Sequence, residues 1–415
     1  MTGVRTSVGY GLLTRASTEN RDDLPSGVTP MLALPHLTTR FGAGVTFSAT
    51  ETRNTSMLND LGLIEPTTAV QGISTGEFSL DGTFSADTSS WLQYVFYNEP
   101  AEINGTTTLT SADGATAIVD ATGEIQGTNT ANTIGYVNNG TAVTSMPMAA
   151  GIFKGYKTLI TANTGMVIQT YAIDRTQAAN SFDIGRYQIN STTDRGGANQ
   201  ATVYTGCYID SFSISYTNGD DASVKFSVSG KYCRAFNQLD SSATPYDYAG
   251  VLADPPEEVF ITGCMAKATE ADTFDAIAFT DSAELQISNN LVAIPDCAKI
   301  TYGYYARGNI SYAISTSTYS NNATKYIAEL YGYDNWSAGA DVYQAQLEPY
   351  AIPYMRIRSK NTVAEVTPTR FVDIQMYKCY INSLSHSFDV GSEITDSPDI
   401  AAKHTFLAIG YIPKV

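Results

Sequence analysis

Residues 207–216 read CYIDSFSISY, and residues 379–388 read CYINSLSHSF. The two stretches agree at the cysteine, the tyrosine, the isoleucine and three serines, with similar residues between. In the first, Tyr208, Phe212, Ile214 and Tyr216 fall on alternate positions, the period of a half-buried β-strand. The turn residues TNGDD follow at 217–221, and Val224, Phe226 and Val228 resume the alternation. That pattern predicts a β-hairpin. In the second copy Tyr380, Leu384 and Phe388 hold the outgoing strand, and the return strand around Phe406 comes after a longer acidic loop, GSEITDSPDI at 391–400. One chain therefore carries one scaffold twice, with different loops.

The repeat extends outward from the hairpin. Phe78–Leu80 align with Ile310–Tyr312, and Val45 and Phe47 with Ile277 and Phe279. Trp91, Leu92, Val95 and Phe96 correspond to Tyr326, Ile327, Leu330 and Tyr331, each an i, i+1, i+4, i+5 apolar stripe that predicts one helical face. A unit of this size occurring twice is a duplicated domain and not a solenoid. The expected organisation is an extended N-terminal arm at 1–35, a first domain at 36–237, a linker at 238–256 and a second domain at 257–415. The first domain carries a Thr, Gly, Asn and Ala-rich insertion at about 98–165, read as a β-rich subdomain or a set of long loops.

The chain has 415 residues, 43 % of them hydrophobic, enough to bury substantial cores. Twenty-four basic residues against 41 acidic give a net charge of −17, which argues against gripping nucleic acid by phosphate neutralisation. The N-terminus lacks a continuous apolar stretch, and no segment has the apolar length of a membrane span. The expectation is a protein that stays where it is made. Cys207, Cys233, Cys264, Cys297 and Cys379 form no CxxC pair, and an odd, widely spaced set fits reduced thiols. Cys207 and Cys379, at equivalent repeat positions, read as small apolar strand residues.

Catalytic chemistry is sparse. Three histidines, His36, His386 and His404, leave little for a zinc site or a triad, and His386 stands at the strand position that Ile214 fills in the first copy. Gly72-Ile73-Ser74-Thr75-Gly76 matches a nucleophile elbow formally, but an alternating strand follows where that motif needs a helix. No P-loop, dinucleotide fingerprint, EF-hand loop or HExxH occurs. No catalytic residue, metal or cofactor is expected. The 27 tyrosines could pave a glycan-binding face, or simply pack in strands.

A helix after two long strands, a late hairpin (Tyr208–Gly230, repeated at Tyr380–Gly410) and an extended arm together resemble the tail tube proteins of long-tailed bacteriophages. The likeness covers both repeats, about three quarters of the chain, and rests on a pattern of apolar and small residues. It implies a mainly β chain of two tandem antiparallel β-barrel or sandwich domains, each with one flanking helix. It further implies homotrimeric, pseudo-hexameric rings that stack into a tube and conduct DNA during ejection, without sequence-specific binding. The implied partners are the chain itself, tape-measure, terminator and baseplate proteins, and the passing DNA, with no membrane. The implied location is the virion, after assembly in the host cytoplasm.

By the same resemblance, ring-to-ring contacts come from the loop at Thr52–Gln71, with Met57, Leu58, Leu61, Leu63 and Ile64 buried on stacking, and from the shorter Asn289–Lys299. An acidic lumen would repel phosphates over about 8 Å at physiological salt. Two alternatives stand beside the tube: a trimeric hub or adaptor ring at one end of a tail, and a β-rich protein that binds or cleaves glycans.

Overall fold

The computed structural model describes residues 7–16, 45–58, 68–84, 91–97, 101–104, 133–138, 141–147, 167–173, 181–190, 199–217, 224–240, 264–268, 274–277, 280–295, 302–319, 352–360, 370–387 and 395–411. In the first half lie β1 (Ser7–Ala16), β2 (Thr46–Leu58), β3 (Thr68–Thr83), the one-turn helix α1 (Gln93–Phe96), β4 (Ala101–Asn104), β5 (Thr133–Asn138), β6 (Thr141–Pro147) and β7 (Val167–Ala172). They are followed by β8 (Phe182–Asn190), β9 (Asn199–Thr217), β10 (Lys225–Tyr232) and β11 (Arg234–Asp240). The second half contributes β12 (Cys264–Ala268), β13 (Phe274–Ile277), β14 (Thr280–Ser288), β15 (Val292–Pro295) and β16 (Tyr302–Ala306). It ends with β17 (Ser311–Tyr319), β18 (Ile352–Lys360), β19 (Arg370–Ser387) and β20 (Thr395–Tyr411). All the pairings are antiparallel, so the fold is mainly β with little helix.

The late hairpin forms as its alternation predicts. β9 pairs with β10, placing Phe212 opposite Val228 and Ile214 opposite Phe226. Phe212, Ile214, Tyr216, Val224, Phe226 and Val228 are all buried on one face, and Trp91, Leu92, Val95 and Phe96 cover them. Trp91 contributes an edge-on ring contact to Phe212 at 5.8 Å between centroids. The apolar stripe at 91–96 is buried, but as a single 3₁₀ and α turn that also buries Tyr94 and ends at Tyr97 in the left-handed conformation. Its counterpart at Tyr326–Tyr331 lies outside the described residues.

The ladders define two equivalent four-stranded units. The first runs β2-β3-β10-β9 and the second β14-β17-β20-β19, in the same order. One row across the first unit reads Ala49, Phe78, Gly230, Ile209, and the matching row of the second reads Leu285, Ile314, Ile400, Ile381. β9 skips Asp210 against its partner, and β19 skips Asn382, so the same bulge recurs at the same repeat position. The bulge corrects one detail of the expected face: Tyr208 is buried, but on the far side of it, in a separate cluster with Tyr97 and Tyr305. The rows also show that Phe78 matches Ile314, four residues beyond the alignment drawn from sequence. A slip of four keeps every side chain on its own face, so alternation cannot reveal it.

Gly230 exists for volume. It faces Phe78, and a Cβ there would lie 2.4 Å from both the Phe78 ring and the Tyr208 carbonyl oxygen. The second unit fills the same place with the smaller pair Ile314 and Ile400. Gly230→Ala is therefore expected to destabilise the fold by about 1–3 kcal/mol, as overpacking does, read as a lower midpoint in urea unfolding.

The expected β-barrels are not present. Sixteen strands share one hydrogen-bonded network, whose main path ends at β13 on one side and β2 on the other, and no sheet closes among the described residues. Closure requires the first and last strands of a unit to pair. Here the last strand of the first unit, β9, pairs instead with the first strand of the second, β14. The network branches because β9 serves two surroundings. Residues up to Thr205 pair with β11 and those up to Cys207 with β8, whereas Tyr208 onward pairs with β10 and, farther along, β14. Gly206, at φ +62°, marks the changeover, and its N–H donates to the buried Asp183 carboxylate at 3.2 Å.

Within the N-terminal arm, β1 lies along β8. The inserted region contributes β4, which joins β7, and the separate β5-β6 ribbon. Most of the linker lies outside the described residues.

Candidate assembly interface

The joint between the two units sets Phe212 opposite Ile287, Ile214 opposite Leu285 and Tyr216 opposite Ala283. All six are buried, so the core runs through the joint without a break. On the other face the joint is lined by Ser211, Ser213, Ser215, Glu284, Gln286 and Ser288. The uncovered face of the first unit continues this hydroxyl character, with Ser211 and Ser229 in a 2.7 Å hydrogen bond. A groove of about 300 Å³ there is lined by residues including Ser48, Thr50, Asp210 and the ion pair Lys231–Glu77 at 3.0 Å.

A polar lock sits at the end of the joint. The Asp210 bulge turns its carbonyl to accept from Asn289 N–H at 2.7 Å, and its carboxylate to accept from Leu291 N–H at 2.8 Å. The buried Asn289 amide donates to the carbonyls of Ile209, at 3.0 Å, and Val95, at 3.3 Å. Tyr97 O–H also donates to the Ile209 carbonyl, at 3.0 Å. Helix end, bulge and second unit are thereby tied together, since each buried polar group needs such a partner.

Beyond the lock, the β15-β16 ribbon of the second unit folds back over the first. Tyr305 is buried against Tyr208, with ring centroids 5.6 Å apart, and Leu291, Ala293, Tyr302 and Cys233 pack around the Tyr97–Tyr208–Tyr305 cluster. Arg307 stands over the Tyr97 ring at 5.5 Å. Burial pushes the Tyr97 and Tyr305 phenols and the Cys207 and Cys379 thiols well above their ordinary values, and Tyr232 up to about 12. These groups fold neutral, so their contribution is complete below the unfolded values near 9 and 10. It is lost as pH rises and the unfolded chain ionises first. The melting temperature is accordingly expected to fall by several degrees between about pH 8 and about pH 11, and to fall less in Tyr305→Phe, as followed by circular dichroism.

Among the described residues both outer edges of the paired units are open: β2 bonds to β3 alone, and β19 from Tyr380 to Ser387 bonds to β20 alone. β2 is the counterpart of β14, and this part of β19 is the counterpart of the β9 segment in the joint. The missing neighbour shows in burial. Ala49 is half-buried where its counterpart Leu285 is fully buried, and Leu384 is half-buried where Phe212 is fully buried.

The other residues singled out by sequence fall as follows. Met57 and Leu58 are 64 % and 51 % exposed, on a strand and not in a loop, while Leu61, Leu63 and Ile64 lie outside the described residues. Tyr380 is half-buried. Phe406 belongs to β20, and Phe388 is outside the description. Ser74 is a buried residue within β3, so the elbow-like sequence is a strand. His386 and His404 are strand residues of β19 and β20, and His36 is outside the description. Cys207 and Cys379 are buried free thiols. Tyr94, Tyr97, Tyr171, Tyr204, Tyr216 and Tyr232 are packed in the interior, whereas Tyr304 is 40 % exposed.

Sequence reading missed a paired corner. Asn54 donates from its side chain to the Ile73 carbonyl at 2.9 Å, and Asn290 does the same to Asn309 at 2.6 Å. Gly72 and Gly308, each just before the accepting residue, both lie against the asparagine. The identical Asn-to-Gly spacing in the two units was the available signal. Among the described residues no group of His, Cys, Asp or Glu is placed to hold a metal, and no helix is long and apolar enough to cross a membrane. No protein-family model matches the chain, and no curated protein matches it.

Proposed function

We propose that this chain is a self-assembling structural protein whose copies join edge to edge into rings that stack as a bacteriophage tail tube. One observation carries the reading: the two open edges are the two halves of a joint that the molecule already makes once, between its own units. Pairing β19 of one copy with β2 of the next repeats that joint. Such a head-to-tail contact generates a ring if the rotation closes and a filament if it does not. It also removes strand edges that would otherwise invite aggregation.

Three chains per ring, giving six units, follow the tail tube resemblance, as do stacking, passage of DNA and the tape-measure, terminator and baseplate partners. Electron microscopy and native mass of the purified protein test the reading. Rings of three-chain mass that stack into tubes are expected. A hub or adaptor would stop at one ring, and particles that stay monomeric at high concentration would contradict assembly altogether.

A further inference from the structure

We propose that the projecting β2-β3 ribbon of one copy clasps the neighbouring copy within the same ring, closing over Tyr380, and does not serve first as a contact between rings. The inference rests on the ring reading and adds to it the surface, the partner and the residues. Its basis is the second unit's ribbon, which is already seated. Past the Asn290 corner, β15-β16 lies on the first unit, and Tyr305 covers Tyr208, leaving that tyrosine 1 % exposed.

The first unit carries a similar ribbon whose described residues are exposed. Past the equivalent Asn54 corner, β2 and β3 continue as a two-stranded ribbon, Thr55–Leu58 against Thr68–Gln71, with every residue exposed. Its apolar side chains Met57, Leu58 and Val70 are 64 %, 51 % and 46 % exposed. Asn290 holds a left-handed φ of 49° at its corner. Asn54 does not hold that φ and lies within the unbroken strand β2, but asparagine tolerates the left-handed conformation better than other non-glycine residues, so Asn54 can adopt it when the ribbon seats.

The receiving surface is marked by the repeat. Tyr380 occupies the place of Tyr208, next to the Asn382 bulge as Tyr208 is next to Asp210. It is half-buried where Tyr208 is fully buried. If β19 of one copy takes β2 of the next by the observed joint, the ribbon continuing from that β2 arrives over Tyr380. The occupant is a second copy of this chain. Apolar residues standing exposed on a strand ribbon are then covered in the same step that closes the edge.

The test places the photoreactive residue p-benzoylphenylalanine at Met57 of the full chain, an exposed site whose replacement leaves the core intact. Single rings are separated from tubes by size, confirmed by native mass, irradiated and mapped by peptide mass spectrometry. Adducts joining two chains, with the acceptor in β19 around Tyr380, are expected in single rings and are expected to be lost in Tyr380→Ala. Inter-chain adducts that arise only in stacked tubes, or acceptors elsewhere in single rings, would overturn the clasp while leaving the ring reading intact. A native mass that stays monomeric at all concentrations would remove both.

Discussion

Phe212→Pro is expected to yield unfolded or insoluble protein. Phe212 is fully buried, contacts the Trp91 ring, and is flanked on both sides by paired strands, β10 through Val228 and β14 through Ile287. Proline there removes a ladder donor from a strand with no free side, at about 3 kcal/mol or more. Loss of the ring adds about 3–5 kcal/mol by analogy with Phe→Ala in cores. Together these approach the 5–15 kcal/mol that typically holds a domain folded. Phe212→Ala, which keeps the N–H, is expected to fold with a much lower unfolding midpoint. A Phe212→Pro chain with native circular dichroism and a cooperative melt would contradict the placement of β9 at the centre of the sheet.

The second large effect concerns assembly. Adjacent residues of a strand direct their N–H groups to opposite sides, so of Thr50→Pro and Glu51→Pro one spares the β2·β3 ladder and blocks the outer edge. The same holds for Leu384→Pro and Ser385→Pro on β19. The variant of each pair that retains its native circular dichroism is the edge-blocked one. Each is expected to remain monomeric, the lost bond and clash weakening the contact by about 3 kcal/mol, on the order of 100-fold. Mixed together, a chain blocked at β2 and a chain blocked at β19 still share one intact pair of edges. They are expected to form a heterodimer and nothing larger, read by native mass. Rings from either variant alone, or growth of the mixture beyond two chains, would contradict a head-to-tail joint.

Much of the local structure was legible because β alternation is written residue by residue. The hairpin core from Phe212 to Val228 follows from period two, and the equivalence of Cys207 and Cys379 follows from the repeated stretch that contains them. What alternation does not carry is the identity of a strand's partner. Nothing in the pattern of β9 says that its outer edge meets β14 of the other unit, so closed barrels were expected where an open, shared sheet stands. The Asp210 bulge was equally silent, since a bulge is a property of two strands together. It sent Tyr208 to a different cluster from Phe212 despite their matching parity.

The candidate site was legible only in outline. Met57 and Leu58 were singled out as exposed apolar residues, and they are exposed, but on a ribbon and not in a loop. The polar lock through Asn289 and Asp210 joins residues far apart in the chain, and no local spacing announces it. On the uncovered face of the first unit Ser211 and Ser229 bond to each other and Glu77 is paired to Lys231, an arrangement that net charge does not reveal.

The central claim, that copies join by repeating the internal joint, is tested most directly by a disulfide across the expected contact. In the internal joint Ser215 stands opposite Glu284, and their repeat counterparts are Ser387 and Ser48, both exposed. Cross-strand partners lie about 4.5–5.5 Å apart at Cα, within disulfide reach. The double variant Ser48→Cys with Ser387→Cys, oxidised in assembled rings, is predicted to give covalent species ending at the closed three-chain ring on a non-reducing gel. The off-register pair Thr50→Cys with Ser387→Cys should give none. Equal cross-linking in both pairs, or none in the first while rings form, would contradict the account.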